Sequence, residues 1–390
     1  MTSKENKGVF AYSYSFQEMF LSKDIFLVPY YIAKEIKGEL EYCYQVNMGN
    51  TDIPNDHRGA IVRRSKIKNE FLTLLWNVVF KAWTLDVLFL NGSSAKHMLV
   101  VWLYKVLRPK GRVVIFGDME ATLAKEFAET GLVYSIGVSA WIKKRLTNFF
   151  FDHVTYIVAN TEAYQIMKGL CEKQGWKGLL HFYPCLDDEL FREYDLQRIP
   201  FQEKENVMVC VGRIGNYQKN TEMLLDALEQ VDLKEWKIYM IGPVTSSFDL
   251  TKKGNFQEKI DDFLARNPRH KDKIIFTGMV YDMKEIFSYY NRARVLLSTA
   301  RHEGFANVYS QAAALGCFVV STDVGGADIG SNQWRFGIKI EQEDCKGLAD
   351  VLNGIVKGSI RIDKQMTVPF EDMCYSIRVN RVLLPFMEEV

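Results

Sequence analysis

Two cations and a predicted helix start meet in VGRIGNYQKN, residues 211–220. An apolar, strand-like run ends at Gly212, Arg213 follows in the loop, and Lys219 comes just before a helical pattern. A helix N-terminus presents free amides and a partial positive charge, and an arginine can hold two oxygens of one phosphate. The stretch therefore predicts an anion site for a diphosphate, with a solvated loop as the alternative. It is not the G-x-G-x-x-G dinucleotide motif, because only Gly212 and Gly215 are present.

A carboxylate and an amide stand eight residues apart in HEGFANVYSQAAALG, residues 302–316. Glu303 follows an apolar run, and Gln311 lies in a helical run that begins at Ala306–Asn307 and ends at Gly316. A carboxylate accepts two hydroxyl hydrogen bonds, which suits a sugar, and the amide can reach a ribose. The alternatives are a favourable charge at a helix N-terminus for Glu303 and a surface amide for Gln311.

The second half of the chain alternates short apolar runs with helical patterns, the first of which has Asn220 as its predicted N-cap. The runs are rich in β-branched and aromatic residues, which suits strands buried on both faces of a parallel sheet. Their alternation with helices predicts a Rossmann-like domain from about residue 200 to 370. The runs are NVMVCVG (206–212), WKIYMIG (236–242), KIIFTG (273–278), RVLLST (294–299) and CFVVSTD (317–323).

The first half has a similar pattern, with a proline-containing helix that ends at Gly38. A polar segment, 187–206, predicts a linker, and the acidic cluster Asp187–Glu189 within it is expected to be solvated. We therefore expect domains at 1–186 and 187–370, a helix at about 371–390 that packs back on the first domain, and a ligand site in the cleft between the domains. The candidate strands are GVFAYSY (8–14), ELEYCYQV (39–46), DVLFLN (86–91), RVVIFGD (112–118) and YIVANT (156–161).

The composition is that of a globular protein without a global charge bias. Forty-nine basic residues stand against 48 acidic ones, so nucleic acid is not an expected partner. The seven cysteines are scattered without a C-x-x-C pair, which is typical of a reducing compartment. No secretory signal and no apolar run of bilayer length is evident, so we expect a cytoplasmic protein.

From about residue 180 to 370 the chain resembles the donor domain of GT-B glycosyltransferases, in particular the retaining glycosyltransferase family 4. The shared motifs, in the family's order, are VGR followed by a lysine, FTG with a short loop, EGF, and a glycine-rich loop after the next strand. The family carries two glutamates as E-x7-E, whereas here Glu303 is followed by Gln311. The first half resembles the family less, since Asp118 stands where a histidine is usual. The resemblance implies an α/β, GT-B fold of two Rossmann-like domains that face each other across a cleft.

The resemblance also implies a role for each matching residue. Arg213 and Lys219 would bind the donor diphosphate and stabilise the charge that grows as the sugar leaves, and Glu303 would hold sugar hydroxyls. Gln311 would bind ribose hydroxyls, with weaker donor binding than a carboxylate gives, and Asp118 is the acceptor-side candidate. Tyr281 is expected beside the base, with a packed aromatic as the alternative. The implied donor-binding residues are Gly212, Val280, Tyr281, Phe305, Ala306, Asn307 and Gln311.

Two stretches combine clustered cations with aromatic residues: VRRSKIKNEFLTLLWNVVFKAW (62–83) and SAWIKKRLTNFFF (139–151). They are typical either of peripheral contact with an anionic membrane face, and hence of a lipid-linked acceptor, or of helices that pack within the first domain. No D-x-D motif and no metal-binding histidine pair occurs, so we expect no metal and no cofactor other than the nucleotide sugar.

The sequence thus predicts a glycosyltransferase, with retention implied by the family, that moves a sugar from a nucleotide-diphosphate sugar to a glycan or lipid-linked acceptor in surface polysaccharide assembly. Two alternatives stay open. One is an epimerase on the same fold, which needs acid–base residues that the motifs do not clearly supply. The other is a nucleotide-sugar-binding subunit that needs a partner for activity.

Overall fold

The computed structural model describes residues 7–49, 51–117, 119–130, 140–245, 255–362 and 370–389. The chain divides into two compact units. Unit 1 comprises Met1–Asp187 and Tyr375–Val390, and unit 2 comprises Asp188–Cys374. Each unit is built on its own, almost entirely parallel sheet.

The elements follow the alternation that the apolar runs predict. The strands are β1 (Gly8–Phe16), β2 (Glu39–Asn47), β3 (Asp56–His57), β4 (Ala60–Arg64), β5 (Leu85–Asn91), β6 (Arg112–Gly117), β7 (Thr155–Val158), β8 (Leu179–His181), β9 (Glu205–Val211), β10 (Lys237–Ile241), β11 (Ile274–Gly278), β12 (Ala293–Ser298), β13 (Phe318–Thr322) and β14 (Gly337–Ile340). The α-helices are α1 (Asp24–Glu35), α2 (Glu70–Lys81), α3 (Ala95–Leu107), α4 (Ala121–Thr130), α5 (Ala140–His153), α6 (Thr161–Gln174), α7 (Asp188–Glu193), α8 (Thr221–Leu228), α9 (Phe256–Arg266), α10 (Met283–Arg292), α11 (Asn307–Ala314), α12 (Ala327–Gly330), α13 (Cys345–Lys357), α14 (Tyr375–Arg378) and α15 (Leu384–Glu389).

The sheet of unit 1 has the order β3-β4-β2-β1-β5-β6-β7-β8, and its neighbours are parallel except for β3 and β4. Helix α1 and the C-terminal helices share one hydrophobic core with the sheet. Helices α2 to α6 share the other core, on buried side chains such as Leu74, Met98 and Phe150. Both faces of the sheet are therefore covered, as continuous apolar strands require.

The sheet of unit 2 has the order β11-β10-β9-β12-β13-β14, and all of its neighbours are parallel. The chain runs outward from β9 through β10 to β11 and then returns to the other side of β9 at β12. The direction of winding therefore changes between β9 and β12. In an open parallel sheet the loops at the carboxyl ends of such a strand pair diverge and leave room for a ligand.

The C-terminal segment completes the core of unit 1. Its buried side chains Tyr375, Val379, Leu383 and Met387 recur at every fourth residue. An α-helix repeats every 3.6 residues, so a strict four-residue spacing drifts around its axis. A π-helical stretch, Val379–Leu383, joins α14 to α15, and its wider turn keeps the four side chains on the core. The helix predicted at about 371–390 is helical without a break from Tyr375 to Glu389, with a π-helical turn inside it.

The acidic cluster at the predicted linker is buried, so the expectation of a solvated cluster was wrong. The Asp187 side chain is 5% exposed, accepts a hydrogen bond from the hydroxyl of Tyr31 at 2.5 Å, and pairs with Arg58 at 2.5 Å. Asp188 is 1% exposed and pairs with Arg192 at 2.8 Å. These partners satisfy the carboxylates that burial would otherwise penalise.

Candidate functional site

Glycines bring the ends of β9 and β10 close together at the carboxyl edge of unit 2. A Cβ at Gly242, whose φ is +138°, would stand 1.9 Å from the carbonyl oxygen of Gly212. A Cβ at Gly212 would stand 3.2 Å from Cε of Lys219. The bare backbone at these positions therefore lets the stem of Lys219 lie across the end of β9.

Lys219 and Glu303 meet across the point where the winding of the sheet changes. The lysine follows β9 and the glutamate follows β12, and the lysine Nζ donates to Oε1 of the carboxylate. The two side chains are 19% and 10% exposed. Two residues that the sequence predicted from separate motifs are thus in direct contact.

Gln218 joins this ion pair to Arg213. Its amide oxygen accepts a hydrogen bond from Nη2 of Arg213 at 2.7 Å, and its Nε2 donates to Oε2 of Glu303 at 3.2 Å. The same Nε2 also donates to the carbonyl of His302 at 3.1 Å. We call Arg213, Gln218, Lys219 and Glu303 the polar chain. Gln218 was missed by sequence reasoning, and its position beside Lys219 is the one signal in the sequence that could have drawn attention to it.

Residues that follow β12 donate hydrogen bonds to the loop that carries Gln218 and Lys219. The hydroxyl of Thr299 donates to the carbonyls of Lys219 and Asn220 at 3.2 and 2.8 Å. The amide of Arg301 donates to the carbonyl of Gln218 at 2.8 Å, and its guanidinium donates to the carbonyl of Tyr217 at 2.7 Å. These hydrogen bonds fix the backbone of Gln218 and Lys219 relative to the end of β12.

Asn220 occupies the N-cap position of α8, but its side chain makes no capping hydrogen bond with the helix. Its backbone is left-handed, with a φ of 47°, and its Nδ2 donates to Oε1 of Glu343 at 3.2 Å. Asn220 therefore occupies the predicted N-cap position, but its side chain does not cap the helix. The left-handed backbone turns the side chain away from the amides of the first helical turn.

Helix α11 is fixed to the sheet by a buried tyrosine. The hydroxyl of Tyr309 lies 3.0 Å from Oγ of Ser298 in β12 and 2.8 Å from Oγ of Ser321 in β13. Burial raises the pKa of this tyrosine above its ordinary value. Gly326 lies against the rings of Tyr309 and Phe305, where a Cβ would come within 3.0 to 3.2 Å. The helix start is thereby set beside the glycine-rich loop that follows β13.

The predicted donor-binding residues on α11 differ in what their polar groups do. The amide of Ala306 donates to the carbonyl of Gly325 at 3.3 Å. Asn307 begins the helix, where amides lack an intrahelical acceptor. The side chain of Gln311 is half-buried and makes no hydrogen bond with the part of the chain that the structure describes.

The remaining predicted site residues lie farther from the polar chain or outside the described residues. Val280 and Tyr281 follow β11, two strands from β9, and Tyr281 is 82% exposed. The alternative of a packed aromatic was therefore wrong for Tyr281. Asp118 lies outside the residues that the structure describes.

The described residues contain no cluster of three or more histidine, cysteine, aspartate or glutamate side chains placed to hold a metal ion. Within the same part of the chain, no helix has both the length and the apolar character needed to cross a bilayer.

Residues 205–357 match the protein-family model described as "Glycosyl transferases group 1". This range contains the whole polar chain, so the site lies in the part of the chain that is similar to that family. Among curated proteins, the amylovoran biosynthesis glycosyltransferase AmsD of Erwinia amylovora is 30% identical over 131 residues, which cover 33% of this chain and 33% of that protein. The matched segment thus spans a third of that relative.

Solved structures resemble the chain over nearly its full length. The Anabaena protein HepE, solved in complex with UDP and glucose, has a TM-score of 0.61 at 12% identity and covers 99% of this chain and 100% of its own. The lipopolysaccharide outer core galactosyltransferase WaaB in its apo form also has a TM-score of 0.61, at 14% identity, with 97% and 99% covered. At this identity the likeness shows the fold, and the prediction of a GT-B fold is confirmed.

Proposed function

We propose that this chain is a glycosyltransferase that takes a sugar from a nucleotide-diphosphate donor and transfers it to a glycan or lipid-linked glycan. The observation that carries the proposal is the polar chain, which joins two cations, an amide and a carboxylate where the winding of the unit 2 sheet changes. The group 1 domain match contains all four residues. HepE, of the same fold, was solved with UDP and glucose, and AmsD is named for amylovoran biosynthesis.

The polar chain suits a diphosphate and a sugar at once. Arg213 is exposed and uses one terminal nitrogen on Gln218, so the rest of its guanidinium can donate to phosphate oxygens. Lys219 has three donors, one of which is directed at Glu303. The carboxylate of Glu303 is held by Lys219 and Gln218, with lone pairs left to accept from sugar hydroxyls. The side chains that bind the leaving group thus also orient the group that binds the sugar.

We propose that the transfer retains the anomeric configuration. The polar chain holds cations and a carboxylate already paired with a cation, which is a set for stabilising negative charge and not for moving a proton. In the proposed step the bond from the anomeric carbon to the diphosphate oxygen breaks, and the acceptor oxygen bonds to that carbon on the same face. The acceptor proton passes to the departing phosphate oxygen, so the step needs no protein base.

Gln311 is proposed to bind the ribose, as an amide in place of a carboxylate. Its side chain is half-buried on α11 and has no hydrogen-bond partner among the described residues, so it is available to a ligand. A neutral acceptor binds hydroxyls less strongly than a charged one. Gln311→Glu is therefore expected to tighten nucleotide binding about tenfold, from a gain of about 1–1.5 kcal/mol on charging the hydrogen bond.

Unit 1 is proposed to bind the acceptor, with Asp118 as its candidate residue. The setting that we propose is surface polysaccharide assembly on the cytoplasmic side of a membrane. A lipid-linked acceptor accords with the basic and aromatic stretches at 62–83 and 139–151.

A thermal-shift panel of UDP, GDP, dTDP, ADP and CMP, followed by the sugar conjugates of each ligand that binds, tests the donor site. A ligand at about 100 times its dissociation constant adds about 2.7 kcal/mol to the stability of the fold. We expect a shift with one nucleotide class, lost in Arg213→Ala and in Lys219→Met and kept in Lys259→Met, which removes two ion pairs elsewhere in unit 2.

Product formation by the purified chain then separates a transferase from a binding subunit. A donor that binds without turnover in the presence of acceptor extracts would favour the subunit. A product of inverted anomeric configuration would refute the proposed mechanism, and conversion of the donor sugar without transfer would favour an epimerase.

A further inference from the structure

An exposed stripe of large apolar side chains follows the outer side of α2. Leu72, Trp76 and Phe80 recur at four-residue intervals and are 54%, 55% and 60% exposed. Trp83 extends the stripe beyond the end of the helix and is 62% exposed. The rings of Trp76 and Phe80 lie 4.2 Å apart, centroid to centroid. More than half of the surface of each of these side chains is exposed, although burial would favour each of them by about 1.5–3 kcal/mol.

A second stripe follows α3, which packs beside α2. It comprises Leu99, Trp102 and Val106, which are 40%, 46% and 55% exposed. The opposite sides of both helices lie in the same hydrophobic core, so the two stripes face outward together. We call these seven side chains the aromatic face: Leu72, Trp76, Phe80, Trp83, Leu99, Trp102 and Val106. The basic-aromatic stretches of the sequence did not include the α3 part.

The aromatic face is flanked by lysines. Lys66 and Lys68 are exposed just before α2, and Lys96 and Lys110 are exposed at the two ends of α3. Between residues 66 and 110 seven lysines and arginines stand against two carboxylates, whereas the whole chain is nearly neutral. Both carboxylates already have a cation within 4 Å: Glu70 lies 3.8 Å from Lys96, and Asp86 lies 2.9 Å from Arg108.

Helix α5 carries the same combination of exposed aromatic side chains and cations at its start. Helix α5 packs against α3, and its first turn exposes Trp141 and Ile142 at 64% and 41%. The guanidinium of Arg145 lies 4.5 Å above the Trp141 ring, and Lys144 is exposed beside it. Tryptophan side chains are enriched at the level of the lipid headgroups, where nearby cations can bind lipid phosphates.

We propose that the aromatic face of unit 1 docks on an anionic membrane surface. Its apolar side chains would enter the boundary of headgroups and acyl chains, while the flanking lysines bind lipid phosphates. A second copy of the chain fits this surface less well, because a two-fold contact of the face with itself sets its lysines opposite one another. The inference deepens the membrane contact of the proposed function, and its test needs no donor or acceptor.

Flotation of the full chain with vesicles tests the proposal. We expect binding to phosphatidylcholine vesicles that contain phosphatidylglycerol, and much weaker binding to pure phosphatidylcholine. The triple variant Trp76→Ser, Phe80→Ser and Trp102→Ser is expected to lower the partition coefficient at least tenfold. Lys66→Gln with Lys68→Gln is expected to lower it about fivefold for each charge, and only with anionic vesicles.

The matched control is Tyr14→Ser with Met48→Ser, which removes two exposed apolar side chains of unit 1 that lie outside the helices. This variant should float like the unchanged chain, and all variants should keep the nucleotide thermal shift if the donor site is as proposed. Equal flotation of the triple variant and the unchanged chain would overturn the proposal. So would a lack of vesicle binding together with a dimer that the triple variant converts to a monomer, since the face would then join two copies.

Discussion

Replacing Lys219 by methionine removes one charge at the candidate site and keeps the length of the side chain. Its partner Glu303 is 10% exposed, and the lysine itself is 19% exposed. Removing one partner of a fully buried ion pair costs about 3–5 kcal/mol, whereas an exposed pair contributes about 0–1 kcal/mol. Gln218 still donates to the other carboxylate oxygen. We therefore expect the free energy of unfolding to fall by about 1–3 kcal/mol.

A second substitution, at Glu303, allows the interaction energy between Lys219 and Glu303 to be measured apart from the other effects of each mutation. Glu303→Gln removes the negative charge, so in the double variant neither charge is left without its partner. We expect the double variant to be more stable than the sum of the two single losses implies, by about 1–2 kcal/mol. Urea unfolding followed by circular dichroism, on all four proteins, measures this coupling energy.

Activity should follow a different pattern from stability. Lys219 is proposed to stabilise the leaving diphosphate, and a removed charge-stabilising donor costs about 10²–10³-fold in rate. We expect kcat/KM to fall by this factor in Lys219→Met and not to recover in the double variant. Lys259→Met, which loses the ion pairs of Lys259 with Glu222 and Asp226 away from the polar chain, should leave kcat/KM unchanged. Additive stability losses, or a threefold or smaller effect on kcat/KM, would refute the reasoning.

Three further predictions follow from single residues. Gln218→Ala removes the link between Arg213 and Glu303, which costs about 1–1.5 kcal/mol of positioning, so kcat/KM should fall about tenfold. The melting temperature should change little. An unchanged kcat/KM would contradict the role of the polar chain. Gly242→Ala should lower the free energy of unfolding by at least about 3 kcal/mol, because the new Cβ would meet a carbonyl oxygen. Gly278, with a φ of +71°, has open space around it, so Gly278→Ala should cost only about 1–2 kcal/mol of backbone strain in the same unfolding assay. Burial, helped by Lys96, lowers the pKa of His97 from 6.5 to about 4. The unfolded chain therefore binds this proton first as the pH falls, and up to about 3 kcal/mol of stability is lost between pH 6.5 and pH 4. His97→Gln should remove that part of the pH dependence of unfolding, and an unchanged slope would show that other groups cause it.

The sequence predicted those parts of the site that depend on strand ends. Arg213, Lys219 and Glu303 each follow an apolar run, and parallel strands carry such residues to one edge of the sheet. The contact between Lys219 and Glu303 depends in addition on which strands are neighbours, and local patterns do not fix strand order. Gln218 was missed for the same reason, because its bond to Glu303 joins loops that are 85 residues apart in the chain.

The misjudged acidic cluster shows where composition misleads. Asp187 lies in a polar segment, and polarity alone indicates a solvated linker. Its partners Tyr31 and Arg58 come from positions 156 and 129 residues earlier, and they make burial of the carboxylate favourable. The aromatic face shows a question that the sequence left open. Helical periodicity indicates an apolar side to bury, but it does not reveal how many of the apolar residues a single core can cover.

The return of Tyr375–Glu389 to unit 1 has a consequence for synthesis on the ribosome. Unit 2 is one continuous stretch of chain, so it can fold as soon as it emerges. Residues up to Asp187 of unit 1 emerge before unit 2, yet the core of unit 1 lacks Tyr375, Val379, Leu383 and Met387 until the segment after unit 2 is made. The unit that is translated first is therefore completed only after unit 2. A truncation before Tyr375 would remove part of the core of unit 1 and leave the chain of unit 2 whole.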